Sequence, residues 1–139
     1  MRVSPVRISL AVAAVALLGL ATAASASAFK GFSSPSGNIG CVMEGKAVRC
    51  DIRDHSWQSP PKPNSCDVDY GGGVAVGTKG KAGFVCAGDT TLDAGPALAY
   101  GSSIGNSRFR CSSSEAGMRC VNKRNGHGFF LAKQSYKLF

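Results

Sequence analysis

Ile39-Gly40-Cys41-Val42-Met43-Glu44-Gly45-Lys46-Ala47-Val48-Arg49-Cys50-Asp51-Ile52 reads as a complete antiparallel hairpin. A two-residue loop at Gly45-Lys46 makes Glu44 face Ala47, Met43 face Val48, Cys41 face Cys50 and Ile39 face Ile52, and glycine in the first loop position suits a type II′ turn. Counting pairs outward from the loop puts the two cysteines at a non-hydrogen-bonded position, with Cα atoms roughly 4.5 Å apart and within disulfide reach. The same register gathers Ile39, Cys41, Met43, Val48, Cys50 and Ile52 on one face. A slip of one residue would turn all six outward, so apolar pattern and covalent geometry select one pairing.

The pattern recurs about 70 residues later. Cys111 and Cys120 have the same nine-residue separation, and Met118-Arg119-Cys120 repeats Val48-Arg49-Cys50. With Cys111 opposite Cys120, Phe109 and Met118 turn inward, while Arg108, Arg110, Arg119 and Lys123 turn outward. Gly117 leaves a second register open here, a three-residue loop that slips the pairing by one. Cys66 and Cys86 remain for each other by exclusion, although a plain meander of strands from residues 66, 74 and 82 would put them at opposite ends. Six cysteines allow fifteen connectivities, and spacing alone does not choose among them. No C-x-x-C spacing is present, so a metal site is not expected.

Beyond the hairpins, no stretch of ten residues repeats apolar positions at helical spacing. Short alternating runs occur instead at 39–43, 47–52, 66–70, 74–78, 82–87, 108–112, 117–121 and 128–132, an all-β pattern suited to a small sandwich or barrel. Turn chemistry separates them: Ser34-Pro35-Ser36-Gly37-Asn38, Gly71-Gly72-Gly73, and the stretch from Gly77 to Gly83. The prolines of Pro60-Pro61-Lys62-Pro63-Asn64 cannot donate to a sheet ladder, which marks an extended crossing strap. At 139 residues, with 18 Gly, 6 Cys and only 17% charged residues, the chain is too short for a multidomain enzyme and describes a stapled, loop-rich fold.

Residues 1–28 read as an export signal. Arg2 and Arg7 form the positive start, Ile8 to Leu20 the apolar stretch, and Ala26-Ser27-Ala28 a cleavage site before Phe29. Thr22, Ser25 and Ser27 interrupt the apolar run too early for a membrane span. A single domain at 29–139, secreted or associated with the cell wall and oxidised into disulfides, is the expectation.

Several ordered motifs, Ser34-Pro35-Ser36-Gly37-Asn38-Ile39-Gly40-Cys41, Arg49-Cys50-Asp51-Ile52, Trp57 with Pro60, Cys86-Ala87-Gly88-Asp89-Thr90, Tyr100-Gly101-Ser102 and Gly126-His127-Gly128-Phe129, resemble small exported actinobacterial proteins of a domain family without an assigned function. The resemblance spans the mature chain, implies secretion or wall association, and implies no activity. Leu98-Ala99-Tyr100 departs from the Leu-Pro that such relatives carry before Tyr-Gly.

Charge is unevenly spread. Residues 29–100 hold seven Lys+Arg and seven Asp+Glu, whereas residues 101–139 hold Arg108, Arg110, Arg119, Lys123, Arg124, Lys133 and Lys137 against Glu115 alone. Arg108 facing Lys123 costs the ribbon about 0.2–1 kcal/mol, so the arrangement gains nothing structurally. An anion-binding face of Arg108, Arg110, Arg119, Lys123 and Arg124 is the functional reading; a merely solubilising surface is the plain one. An anionic wall polymer, lipid headgroups or another secreted protein are the partners it fits, with nucleic acid not favoured and no cofactor implied. A non-catalytic binding domain is therefore expected. Two other classes stay in view: an inhibitor inserting the loop from Asp54 to Asn64, and a small hydrolase using His127 with Arg124 and Glu115.

Overall fold

The computed structural model describes Gly19 and residues 29–139. The export-signal reading of residues 1–28 lies outside the described part, Gly19 apart. Ten strands and no helix are found among the described residues. β1 (Lys30–Ser33), β2 (Ile39–Met43), β3 (Ala47–Ile52), β4 (Tyr70–Gly77) and β5 (Gly83–Cys86) form one antiparallel meander; β6 (Ser103–Gly105), β7 (Phe109–Ser114), β8 (Gly117–Asn122), β9 (Gly128–Leu131) and β10 (Tyr136–Leu138) form a second. The two sheets face each other across one core.

Both hairpins take the expected pairing: Cys41 faces Cys50, and Cys111 faces Cys120 with Ser114 opposite Gly117, so the second loop is two residues long and no slip occurs. Gly117 is needed there for a different reason: a Cβ would lie 2.5 Å from the Leu131 carbonyl oxygen. The type II′ expectation for the first loop is corrected, because Gly45 does not take a positive φ. The Glu44 carbonyl accepts Asn106 Nδ2 from the other sheet at 3.0 Å, an attachment outside the hairpin.

The meanders are copies of one plan, with a disulfide joining the second strand to the third in each. Across the first sheet, one inward row runs Phe32, Cys41, Cys50, Val74, Phe84; across the second it runs Ile104, Cys111, Cys120, Phe129, Leu138. The rows meet at their centres, where Cys50 Sγ and Cys120 Sγ lie 3.8 Å apart and all four cysteines are fully buried. Phe32, Phe109, Phe129, Met43, Met118 and Leu131 close around the sulfurs. Each such side chain contributes about 1.5–3 kcal/mol on leaving water.

Two expectations fail together, and for one reason. Residues 66–69 are not a strand, and Gly71-Gly72-Gly73 is not a turn but the start of β4. Gly73 lets Asp51 pack directly on the backbone, and Gly71, at φ 92°, makes room for Ser59. Because β4 begins at Tyr70, and Tyr70 pairs with Cys86, the chain just before it brings Cys66 within bonding range of Cys86, with Cα atoms 5.8 Å apart. The strap between β3 and β4 crosses to the second sheet, where Trp57 Nε1 donates to the Ala132 carbonyl at 2.8 Å and the indole packs edge-on against Tyr136.

Candidate functional site

Both sheets have an outer face, and they are furnished differently. Over the first sheet runs the connection from Cys86 to Ser102. Its Thr91 hydroxyl donates to the Gly40 carbonyl at 2.7 Å and accepts the Asp51 N–H, while the Thr91 N–H donates to Asp51 Oδ2 at 3.0 Å. Gly40 and Gly31 allow this: a Cβ on either would collide with the backbone at Thr91 or Ala94. Arg49 closes the clamp, holding Asp51 through Nε and Nη2 at 2.9 and 2.8 Å and Asp89 through Nη1 at 2.8 Å. Burial lowers the Arg49 pKa, and the hydrogen bonds and charges of Asp51 and Asp89 more than reverse that, leaving it raised. The same hydrogen bond and charge from Arg49 hold Asp89 below the usual carboxylate value.

The outer face of the second sheet holds its cations open to solvent: Arg110, Arg119 and Lys137 are all exposed. The register places Arg110, Arg119 and Lys137 on its outer face, with Ser103, Ser112, Val121 and Phe130 between them. Arg119 lies over the Phe139 ring, 4.6 Å from its centroid, and Arg110 Nη2 donates to Ser103 Oγ at 3.2 Å. Lys123 follows β8 directly; its N–H donates to the Arg108 carbonyl at 2.8 Å, so those two residues meet through the backbone. Arg124 sits exposed in the β8–β9 turn, where its N–H is held by Asn122 Oδ1. The three ion pairs among the described residues all belong to Arg49 and Arg53; no Asp or Glu pairs with a cation of the second sheet. Lys137 joins this face although the short β10 has no alternating run in the sequence to orient it.

The hydrolase trio is not assembled. Glu115 is in the β7–β8 loop and His127 in the turn beyond the other end of β8, a strand about 17 Å long at ~3.3 Å per residue. His127 serves the turn: its N–H donates to Asn125 Oδ1 at 3.0 Å, its carbonyl accepts the Asn122 N–H, and Gly126 supplies φ 77°. His55 is occupied too, stacked on Trp57 at 3.7 Å with Nδ1 bonded to the Trp57 carbonyl. In the proposed inhibitor loop, Ser56, Trp57 and Ser59 are tied to Lys133, Ala132 and Gly71, which leaves residues 61–65 exposed.

The clamp over the first sheet is built from the quoted motifs Gly40-Cys41, Arg49-Cys50-Asp51 and Gly88-Asp89-Thr90, extended by Thr91. Residues 11–139 match a family of unknown function, DUF6636. The chain belongs to this family. Neither a curated protein nor a solved structure matches it. In this DUF6636 domain those motifs serve the architecture, whereas the cationic face lies on the other sheet. Its three disulfides, in a core this small, fit an oxidising environment outside the cytosol.

Proposed function

We propose that this protein is an exported, non-catalytic binding domain of an actinobacterial envelope whose second sheet docks on a phosphate-bearing polymer. One observation carries the reading: Arg110, Arg119 and Lys137 are exposed on one sheet face, with Arg108, Lys123 and Arg124 at its end, and no side-chain carboxylate neutralises them. Sheet outer faces with no partner to serve are ordinarily salted with both signs of charge, and one-signed fields steer oppositely charged partners. Arginine supplies the planar fork that phosphate accepts in two bonds. Phe130, Phe139 and Val121 between the cations give the non-polar stretches of such a polymer something to lie on.

The test is binding of the oxidised protein to a poly(glycerol phosphate) chain. Affinity should fall steeply as salt is raised, because exposed charges are screened within about 8 Å at physiological ionic strength. Reversing Arg108, Arg110 and Arg119 to Glu should abolish binding while disulfide mapping stays unchanged. Undiminished binding by the triple variant removes the second sheet as the docking face.

A further inference from the structure

At the β6 edge of the cationic face lies a cleft of about 370 Å³ lined by Ser103, Ile104, Gly105, Asn106, Arg110 and Lys123. Three cationic heads from three elements converge on this one segment. Lys30, at the end of β1 and on its inward side, crosses between the sheets and donates through Nζ to the Gly105 carbonyl. Lys123 Nζ donates to the Asn106 carbonyl at 2.5 Å, and Arg110 Nη2 donates to Ser103 Oγ, which lies 3.0 Å from Ser112 Oγ. Each bond uses one donor, whereas an ammonium has three and a guanidinium five. Asn106 is itself locked, accepting the Arg108 and Phe109 N–H groups at 2.9 and 2.8 Å through Oδ1 and anchored to Glu44 through Nδ2. The Asn106 side chain therefore fixes the segment, and the Arg110 and Lys123 heads are oriented before any ligand arrives.

Its lining sets it apart from other concavities of the molecule. The cleft between the Ser34–Asn38 turn and the β7–β8 loop contains Asp54 and Glu115, the one beneath the Asp89 segment contains Asp51, Asp69 and Asp89, and the groove outside the first sheet contains Glu44 and Asp89. Here no carboxylate is present. A guanidinium, an ammonium and the Ser103 hydroxyl around one small cleft suit a compact, multiply charged oxyanion with several acceptor oxygens. From this convergence of Arg110, Lys123 and Ser103 we infer that the cleft is a subsite for one phosphate group, the rest of the polymer continuing across Arg119 and Lys137; the ligand class rests on the docking reading above.

Glycerol 3-phosphate is the probe, followed by amide chemical shifts of the oxidised full-length protein. Saturable shifts confined to residues 103–106, 110 and 123 are expected, with none from glycerol or from sodium chloride at matched ionic strength. Arg110→Ala with Lys123→Ala should weaken the probe about tenfold or more, as loss of two charge-assisted bonds requires. Shifts reproduced by sodium chloride, or spread equally over Arg119 and Lys137, overturn the subsite. The two readings fail separately. If the double alanine variant binds poly(glycerol phosphate) as wild type does while Arg119→Glu with Lys137→Glu does not, the cleft falls and the docking face stands. If the probe saturates the cleft but the polymer does not bind, the reverse holds.

Discussion

The two disulfide hairpins carry an arginine at the same place and use it in opposite ways. Arg49 in β3 and Arg119 in β8 each precede the second cysteine, and each points outward. Two residues past Arg49 stands Asp51; two residues past Arg119 stands Val121. With its carboxylate present, Arg49 is drawn into a clamp with Asp51 and Asp89 and keeps only 20% of its side chain exposed. With the carboxylate missing, Arg119 rests on an aromatic ring and faces water. A duplicated frame thus acquires one face committed to holding the chain together and one face left for a partner, through a difference as small as aspartate against valine.

The largest expected effect tests what the hairpins share. Replacing Cys41 and Cys50, or Cys111 and Cys120, by alanine should each cost about 2.6 kcal/mol in urea unfolding, the chain-entropy value for a loop of this length. Because the sulfurs touch, removing both bridges should depart from the sum by about 0.5–3 kcal/mol. Strict additivity would mean that the two sheets pack independently. The next effect tests what separates them: Arg49→Ala should cost about 2 kcal/mol, since it strands the mostly buried Asp51, whereas Arg119→Ala should cost under about 1 kcal/mol and act on polymer binding instead. Equal losses would erase the contrast. Val121→Asp copies the first hairpin onto the second and should weaken polymer binding a few-fold with little change in stability; unchanged binding would show that Arg119 is not in the docking face. The smallest effect is in pH. Asp89 has a lowered pKa, so its pairing with Arg49 stabilises the fold fully above the unfolded value of about 3.9 and is lost as pH falls through the lower folded value. The stability difference between wild type and Asp89→Asn should vanish in that acid range, and a difference persisting there would contradict the ion pair.

How far the sequence revealed this depends on which residues carried the message. The hairpins were legible because cysteine spacing and inward alternation constrain the same register twice. The strands β1, β6 and β10 were not, being three or four residues long at sheet margins where one or two inward side chains make no pattern. Gly71-Gly72-Gly73 misled because glycine serves equally where the chain bends and where another segment must lie close, and only the partner, here Asp51 or Ser59, distinguishes the two. The cationic residues were visible as a compositional excess. That Arg119 lacked the partner held by Arg49 was readable by aligning the two copies, but the reach of Lys30 across to Gly105 depends on how the sheets face each other, 75 residues apart in the chain.

Each bridge closes within its own meander: 41 to 50 and 66 to 86 in the first, 111 to 120 in the second. No sulfur bond spans the interior, so the segment from 87 to 110 is the sole covalent thread between the halves. One protease cut there would yield two pieces, each closed by its own sulfur bonds, held as a pair only by non-covalent contacts and parting on a denaturing gel without any reductant.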